Sequence, residues 1–122
     1  MGKILVAEDD SLLASLLVDQ LKRDGYDTRA AFDGIATIEE VKEWHPDVLL
    51  LDILMPGKNG WEVLEAIRGD GSIASTPVVI IVSNLSAQED IDRAQRLGVK
   101  HFLVKATTSL ADIVDRVKGA IT

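Results

Sequence analysis

The sequence predicts an α/β fold, a parallel sheet covered by helices, and three observations predict it. Apolar runs alternate with amphipathic segments from end to end of the chain. The runs are short and continuous, as in strands buried on both faces, a pattern typical of parallel sheets. Several of them end in a charged or polar residue, at the carboxyl edge where open α/β sheets bind their ligands.

Each element follows from local pattern. Strand one is read over residues 3–7, where Ile4-Leu5-Val6-Ala7 runs into Glu8-Asp9-Asp10. Leu12, Leu13, Leu16, Leu17 and Leu21 are spaced for one helical face, and that helix closes at Gly25. Strand two occupies 27–31. Ala36, Ile38 and Val41 mark a second helix, stopped before Pro46 because proline restricts its predecessor. Strand three covers 47–52: Val48-Leu49-Leu50-Leu51 ends in Asp52. The stretch from Ile53 to Gly60 carries glycine and proline turn chemistry. Trp61, Val63, Leu64 and Ile67 give a third helix ending near Gly69, and 69–76 reads as a loop. Strand four is 77–82, followed by Ser83. Ile91, Ala94 and Leu97 form a thin stripe on a fourth helix that ends at Gly98. Strand five is 101–104, followed by Lys105. Leu110, Ile113, Val114, Val117 and Ile121 give the fifth helix, and Ser109 with Asp112 resembles a capping box. Strands alternating with helices in this way mean βαβ units with right-handed crossovers, but periodicity alone permits several strand orders.

Composition bounds the possibilities. A chain of 122 residues is one domain with room for a real core. The absence of cysteine removes disulfides, thiolate metal sites and cysteine nucleophiles, and fits a reducing cytoplasm. No apolar stretch approaches the roughly 20 residues of a membrane span, and the short lead into strand one leaves no room for a signal peptide. A net charge of -7 disfavours sequence-independent attraction to nucleic acid.

The acids carry the chemistry. If strands one and three are neighbours, Glu8, Asp9 and Asp52 converge at the carboxyl edge, where their mutual repulsion calls for a cation. A hard divalent ion such as Mg²⁺ suits such a set, since it prefers oxygen ligands. An acid at a strand end can also simply cap the next helix, and Asp10, followed by Ser11 and the leucine stripe, is read that way. Ser83 and Lys105 end two further strands on the same edge. A hydroxyl and an ammonium beside an acid cluster suit the oxygens of a phosphoryl group. His45 and His101 lie apart from the cluster and are given no role. Trp44 is expected to cover the core, and Lys58 to be solvated.

In order and spacing, Ile4-Leu5-Val6-Ala7-Glu8-Asp9-Asp10, Leu51-Asp52-Ile53-Leu54-Met55-Pro56 with Gly60, Ser83 and Lys105 resemble the bacterial two-component response-regulator receiver domain, of the single-domain, chemotaxis-regulator-like kind. The resemblance covers essentially the whole chain. It implies a flavodoxin-like fold with strand order 2-1-3-4-5. It implies Asp52 as phosphoacceptor, attacking a phosphohistidine on a histidine kinase or phosphotransfer protein. It further implies Mg²⁺ held by Asp9, Glu8, Asp52 and the carbonyl of Leu54. Lys105 and Ser83 would contact phosphoryl oxygens, and Phe102 would be an aromatic switch. Helix four, strand five and helix five would form a docking face for a downstream protein or a phosphorylation-dependent dimer. On this reading residues 1–122 are a receiver without an output domain, a signalling protein that assists its own phosphorylation and dephosphorylation.

The chain departs from the family pattern in three places. Ala106 stands where proline usually follows the lysine, so a trans bond and a reshaped loop are expected. Asn84 is larger than the usual small residue and is expected to narrow access to the pocket. Leu54 and Leu85 take the two variable positions flanking the phosphoryl group, and neither can orient a water. Three other readings stay open. A Mg²⁺-dependent aspartyl-phosphate phosphohydrolase would want a second acid where Leu54 stands. A nucleotide or flavin module would want GxxxxGK[ST] or GxGxxG, and neither occurs. A docking module of the same fold need not be phosphorylated at all.

Overall fold

The computed structural model describes residues 2–71, 73 and 76–121. In chain order its elements are β1 (Lys3–Ala7), α1 (Ser11–Arg23), β2 (Asp27–Ala31), α2 (Gly34–Trp44), β3 (Val48–Leu51), α3 (Gly60–Gly69), β4 (Val78–Ser83), α4 (Gln88–Arg96), β5 (His101–Val104) and α5 (Leu110–Ile121). The strands pair in parallel in the order β2-β1-β3-β4-β5, the flavodoxin-like arrangement.

The continuous apolar runs are explained by the two-residue period of a strand covered on both sides. Leu5, Ala7, Leu49, Leu51, Val79 and Ile81 face one way, against Val41 and Trp44 of α2, Val63, Leu64 and Ile67 of α3, and Ala94 of α4. Their neighbours Ile4, Val6, Val48, Leu50, Ile80 and Val82 face the other way, against Ala14, Leu17 and Leu21 of α1 and Ile113, Val114 and Val117 of α5. Burying each large aliphatic side chain stabilises the fold by about 1.5–3 kcal/mol. β1, β3 and β4, buried almost throughout, therefore form the firm centre of the sheet.

Capping sets where the helices start. Asp10 accepts from the N–H groups of Leu12 and Leu13, so it is the helix cap expected of it. Asp33 accepts from Ala36, and Asn59 forms a reciprocal capping box with Glu62. Ser109 Oγ accepts from the Asp112 N–H at 3.1 Å, the first half of the box expected at α5. Gly25 and Gly98, at φ 95° and 76°, end their helices in the left-handed conformation that glycine tolerates best. α2 ends at Trp44, with His45 between it and Pro46, and Trp44 covers the core edge as expected, with the Arg29 guanidinium 4.5 Å from its ring centroid.

Three expectations need adjustment, and a fourth falls partly outside the described residues. β3 is shorter than 47–52 by one residue at each end. β4 runs 78–83 rather than 77–82, so Ser83 belongs to the strand. Leu12 and Leu16, read as part of a core stripe, are 69% and 46% exposed. Five leucines make a stripe wider than the sheet can cover, and burial falls to Ala14, Leu17 and Leu21. Of the loop read over 69–76, residues 72, 74 and 75 lie outside the described residues.

Candidate functional site

Register alone brings the acids together. Ala7 lies level with Leu51, so Glu8 and Asp52 leave β1 and β3 side by side. The ladder continues one step past both strands: Asp52 N–H donates to Ala7 O at 2.9 Å, and Glu8 N–H to Ala31 O at 3.0 Å. Glu8 and Asp52 are only 3% and 4% exposed, whereas Asp9 faces solvent. One carboxylate oxygen from each of the three lies within 4.8 Å of the others. Ser83 lies level with Val104 on the neighbouring strand, so Lys105 leaves β5 one residue beyond it.

Each oxygen of the two buried acids has its own partner. The Lys105 ammonium reaches Glu8 Oε1 at 2.7 Å and Asp52 Oδ2 at 2.9 Å. Asp10 N–H donates to Glu8 Oε2 at 3.1 Å, and Leu54 N–H donates to Asp52 Oδ1 at 3.2 Å. Burial pushes the Glu8 carboxyl up from 4.5 to about 7, with the Asp52 charge adding to it, and the bonds from Lys105 and Asp10 offset only part of this. Burial also opposes the charge on Lys105, but its bonds to Glu8 and Asp52 outweigh that and raise its pKa. With all groups ionised, three carboxylates and one ammonium leave two negative charges. An all-oxygen donor set with that balance, one acid of which resists ionising alone, fits a hard divalent cation. Glu8, Asp9 and Asp52 would hold it.

The remaining site residues ring this notch. Ser83 is fully buried, and its Oγ accepts from the Leu85 N–H at 3.3 Å. Phe102 is half-buried and packs against the core cluster under α2, α3 and α4. It also lines a cavity of about 290 Å³ between α4 and β5. The Lys105–Ala106 bond is trans, as expected, and Lys105–Thr107 forms a 3₁₀ turn. Asn84 is exposed, but its Oδ1 accepts from the Ala106 N–H at 3.2 Å. Asn84 thus ties the loop after β4 to the loop after β5. A larger cavity of about 710 Å³, lined by Gly2, His45, Asp47 and Ile121 among others, holds no comparable set of charges.

Sequence reading missed two contributors. A Cβ on Gly34 would lie 1.8 Å from Lys58 O, so this glycine lets α2 press on the loop that follows Asp52. Gly34 N–H also donates to Pro56 O at 3.3 Å. The Asp33-Gly34 pair at a helix start was the available signal. The second is the exposure of apolar side chains close in sequence to the acids: Leu12, in the first turn of α1, is 69% exposed, and Leu54, already placed at the site through its carbonyl, is 57% exposed. Lys58 is exposed, as expected.

Comparison with known proteins agrees with this geometry. The family model described as the response regulator receiver domain matches residues 4–118. The DNA-binding response regulator MtrA of Mycobacterium tuberculosis (strain H37Rv) is 36% identical over 103 residues, covering 84% of this chain and 43% of that protein. The chain therefore spans somewhat under half the length of that curated relative. The receiver domain of the Francisella response regulator 1452 superposes with a TM-score of 0.87 at 29% identity, over 98% of this chain and 96% of that one. The signal receiver domain of NarL, a putative response regulator from Mycobacterium tuberculosis, gives 0.82 at 30% identity, over 98% and 96%. With a family match over nearly its whole length and the family's acids and lysine gathered at one sheet edge, the chain belongs to the response regulator receiver domains.

Proposed function

We propose that this domain accepts a phosphoryl group on Asp52 from a histidine kinase or phosphotransfer protein and relays the event to a downstream protein. The observation that carries the reading is Asp52 itself, a buried carboxylate that shares Lys105 with Glu8 and lies within 4.8 Å of Glu8 and Asp9. An Asp52 oxygen attacks the phosphorus of the donor phosphohistidine. The P–N bond breaks, its electron pair returns to the imidazole, and an acyl phosphate forms. Lys105, freed from the acid, pairs with a phosphoryl oxygen. Mg²⁺ bound by Glu8, Asp9, Asp52 and the Leu54 carbonyl would neutralise the incoming oxygens. Ser83 then bonds another oxygen at the cost of its present turn, and Phe102 follows the loop into the space beside α4. Leu12 and Leu16 on α1 and Leu54 just after Asp52 are exposed and would suit the apolar face of a donor helix.

The acidic chain, without a described helix long and apolar enough to cross a membrane, fits a cytoplasmic signalling role. The α4–β5–α5 face is proposed as the output surface, for a protein target or a second phosphorylated copy. On this reading the chain acts in signalling rather than turnover of an external substrate, and contacts no nucleic acid itself.

The experiment is intact mass after incubation with Mg²⁺ and acetyl phosphate, beside Asp52→Ala. One phosphoryl adduct that needs Mg²⁺ and is lost in the variant is the expected result. If no adduct forms, and beryllofluoride, a phosphoryl mimic, leaves Trp61 fluorescence unchanged, the domain is a docking module instead.

A further inference from the structure

Asn84 and Ala106 belong to different loops, each next to a residue at the carboxyl edge of the sheet. Asn84 follows Ser83, and Ala106 follows Lys105. The bond between them, Ala106 N–H to Asn84 Oδ1 at 3.2 Å, spans 22 positions of sequence. It is possible because residue 106 is not proline, which has no N–H to give.

The two sides of this bond differ in firmness. Asn84 is rooted in β4, whose last five residues are buried, Ser83 fully so. Lys105 and Ala106 stand at the end of an edge strand that is half-buried throughout. The turn's own bonds are at the limit of length: Thr108 N–H to Lys105 O and Thr107 Oγ1 to Val104 O are both 3.5 Å. At 3.2 Å the Asn84 carboxamide is a shorter tie on this turn than either of these. An ammonium on a flexible four-carbon stem reaches both acids only if its backbone is held.

We propose that Asn84 is a positioning residue: through the Ala106 N–H it holds the Lys105 turn against β4, so that Ser83 and Lys105 close on the phosphoryl group as one body. The functional half of this rests on phosphorylation at Asp52. The structural half, that Asn84 places Lys105, does not.

The test uses two readouts on the whole chain. Lys105 acylation by an amine-reactive ester, resolved by peptide mass spectrometry, is followed without metal or donor, and Mg²⁺-beryllofluoride affinity is measured separately. A single hydrogen bond supports about a two- to tenfold change. Asn84→Ala is expected to speed Lys105 acylation and weaken beryllofluoride by factors in that range. In an Ala106→Pro background, where the donor is gone, Asn84→Ala should change neither quantity. Equal effects of Asn84→Ala in both backgrounds, or unchanged Lys105 acylation in the parent background, overturn the proposal. Exposure of Lys105 by Asn84→Ala in a protein that never binds beryllofluoride would support the tie and sink the phosphoacceptor reading instead.

Discussion

Lys105 serves two masters, Glu8 at 2.7 Å and Asp52 at 2.9 Å, yet burial still pushes the Glu8 carboxyl up to about 7. In the unfolded chain the same carboxyl titrates near its ordinary 4.5, so the folded state holds the extra proton. The stability from this group is complete below about pH 4.5 and is lost as pH rises through about 7. Metal-free protein should therefore show a denaturation midpoint that falls between about pH 5 and 8, and Glu8→Gln should flatten that slope. Mg²⁺ affinity, measured by calorimetry, should rise over the same interval because the proton must leave first. A slope unchanged by Glu8→Gln would assign it to another group. The side chains of Leu54 and the half-buried Leu85 offer no polar atom to a water. The acyl phosphate is accordingly expected to decay slowly, and Leu54→Asn with Leu85→Gln to hasten it. The acids, Ser83 and Lys105 were legible because each ends an apolar run. The Asn84–Ala106 bond was not, because a contact between loops leaves no trace in periodicity.

Among the elements, α4 is the least self-sufficient. Only Ala94 is buried, and Ala87 offers no side-chain cap. α3 supplies what α4 lacks. Arg93 lies 4.7 Å from the Trp61 ring centroid and 3.2 Å from Glu65, and Arg68 Nε donates to Leu97 O at 3.0 Å, closing the carboxyl end of α4. Arg68→Ala should leave the sheet intact while speeding amide exchange across α4 severalfold; exchange unchanged there would mean the helix is held by its apolar stripe alone. Tight spots behave differently. Gly34→Ala places a Cβ against Lys58 O, so it should cost about 1–3 kcal/mol in chemical denaturation, as overpacking does. The thin α4 stripe was legible as such, whereas the α1 stripe misled because leucine spacing says which residues share a face but not how much of that face the sheet covers.

The molecule has a firm side and a yielding one. β1 and β3, with Glu8 and Asp52 at their ends, are buried almost throughout, while β5 is half-buried along its length and α4 adds one buried residue. The strand order that makes this division could not be read from apolar periodicity; it came from the resemblance carried by the acids and lysine, and the sheet agrees with it. The division also decides how the native protein would be dismantled. Proteases need a stretch of chain to leave its place, and they sample the segments that open most easily. Arg96 and Lys100 are exposed at the junction of α4 and β5. Brief trypsin treatment of the folded domain should make its first cuts there, while the bonds beside β1 and β3 survive until the whole fold gives way. Early cuts at Lys22 or Lys42 would place the yielding side elsewhere.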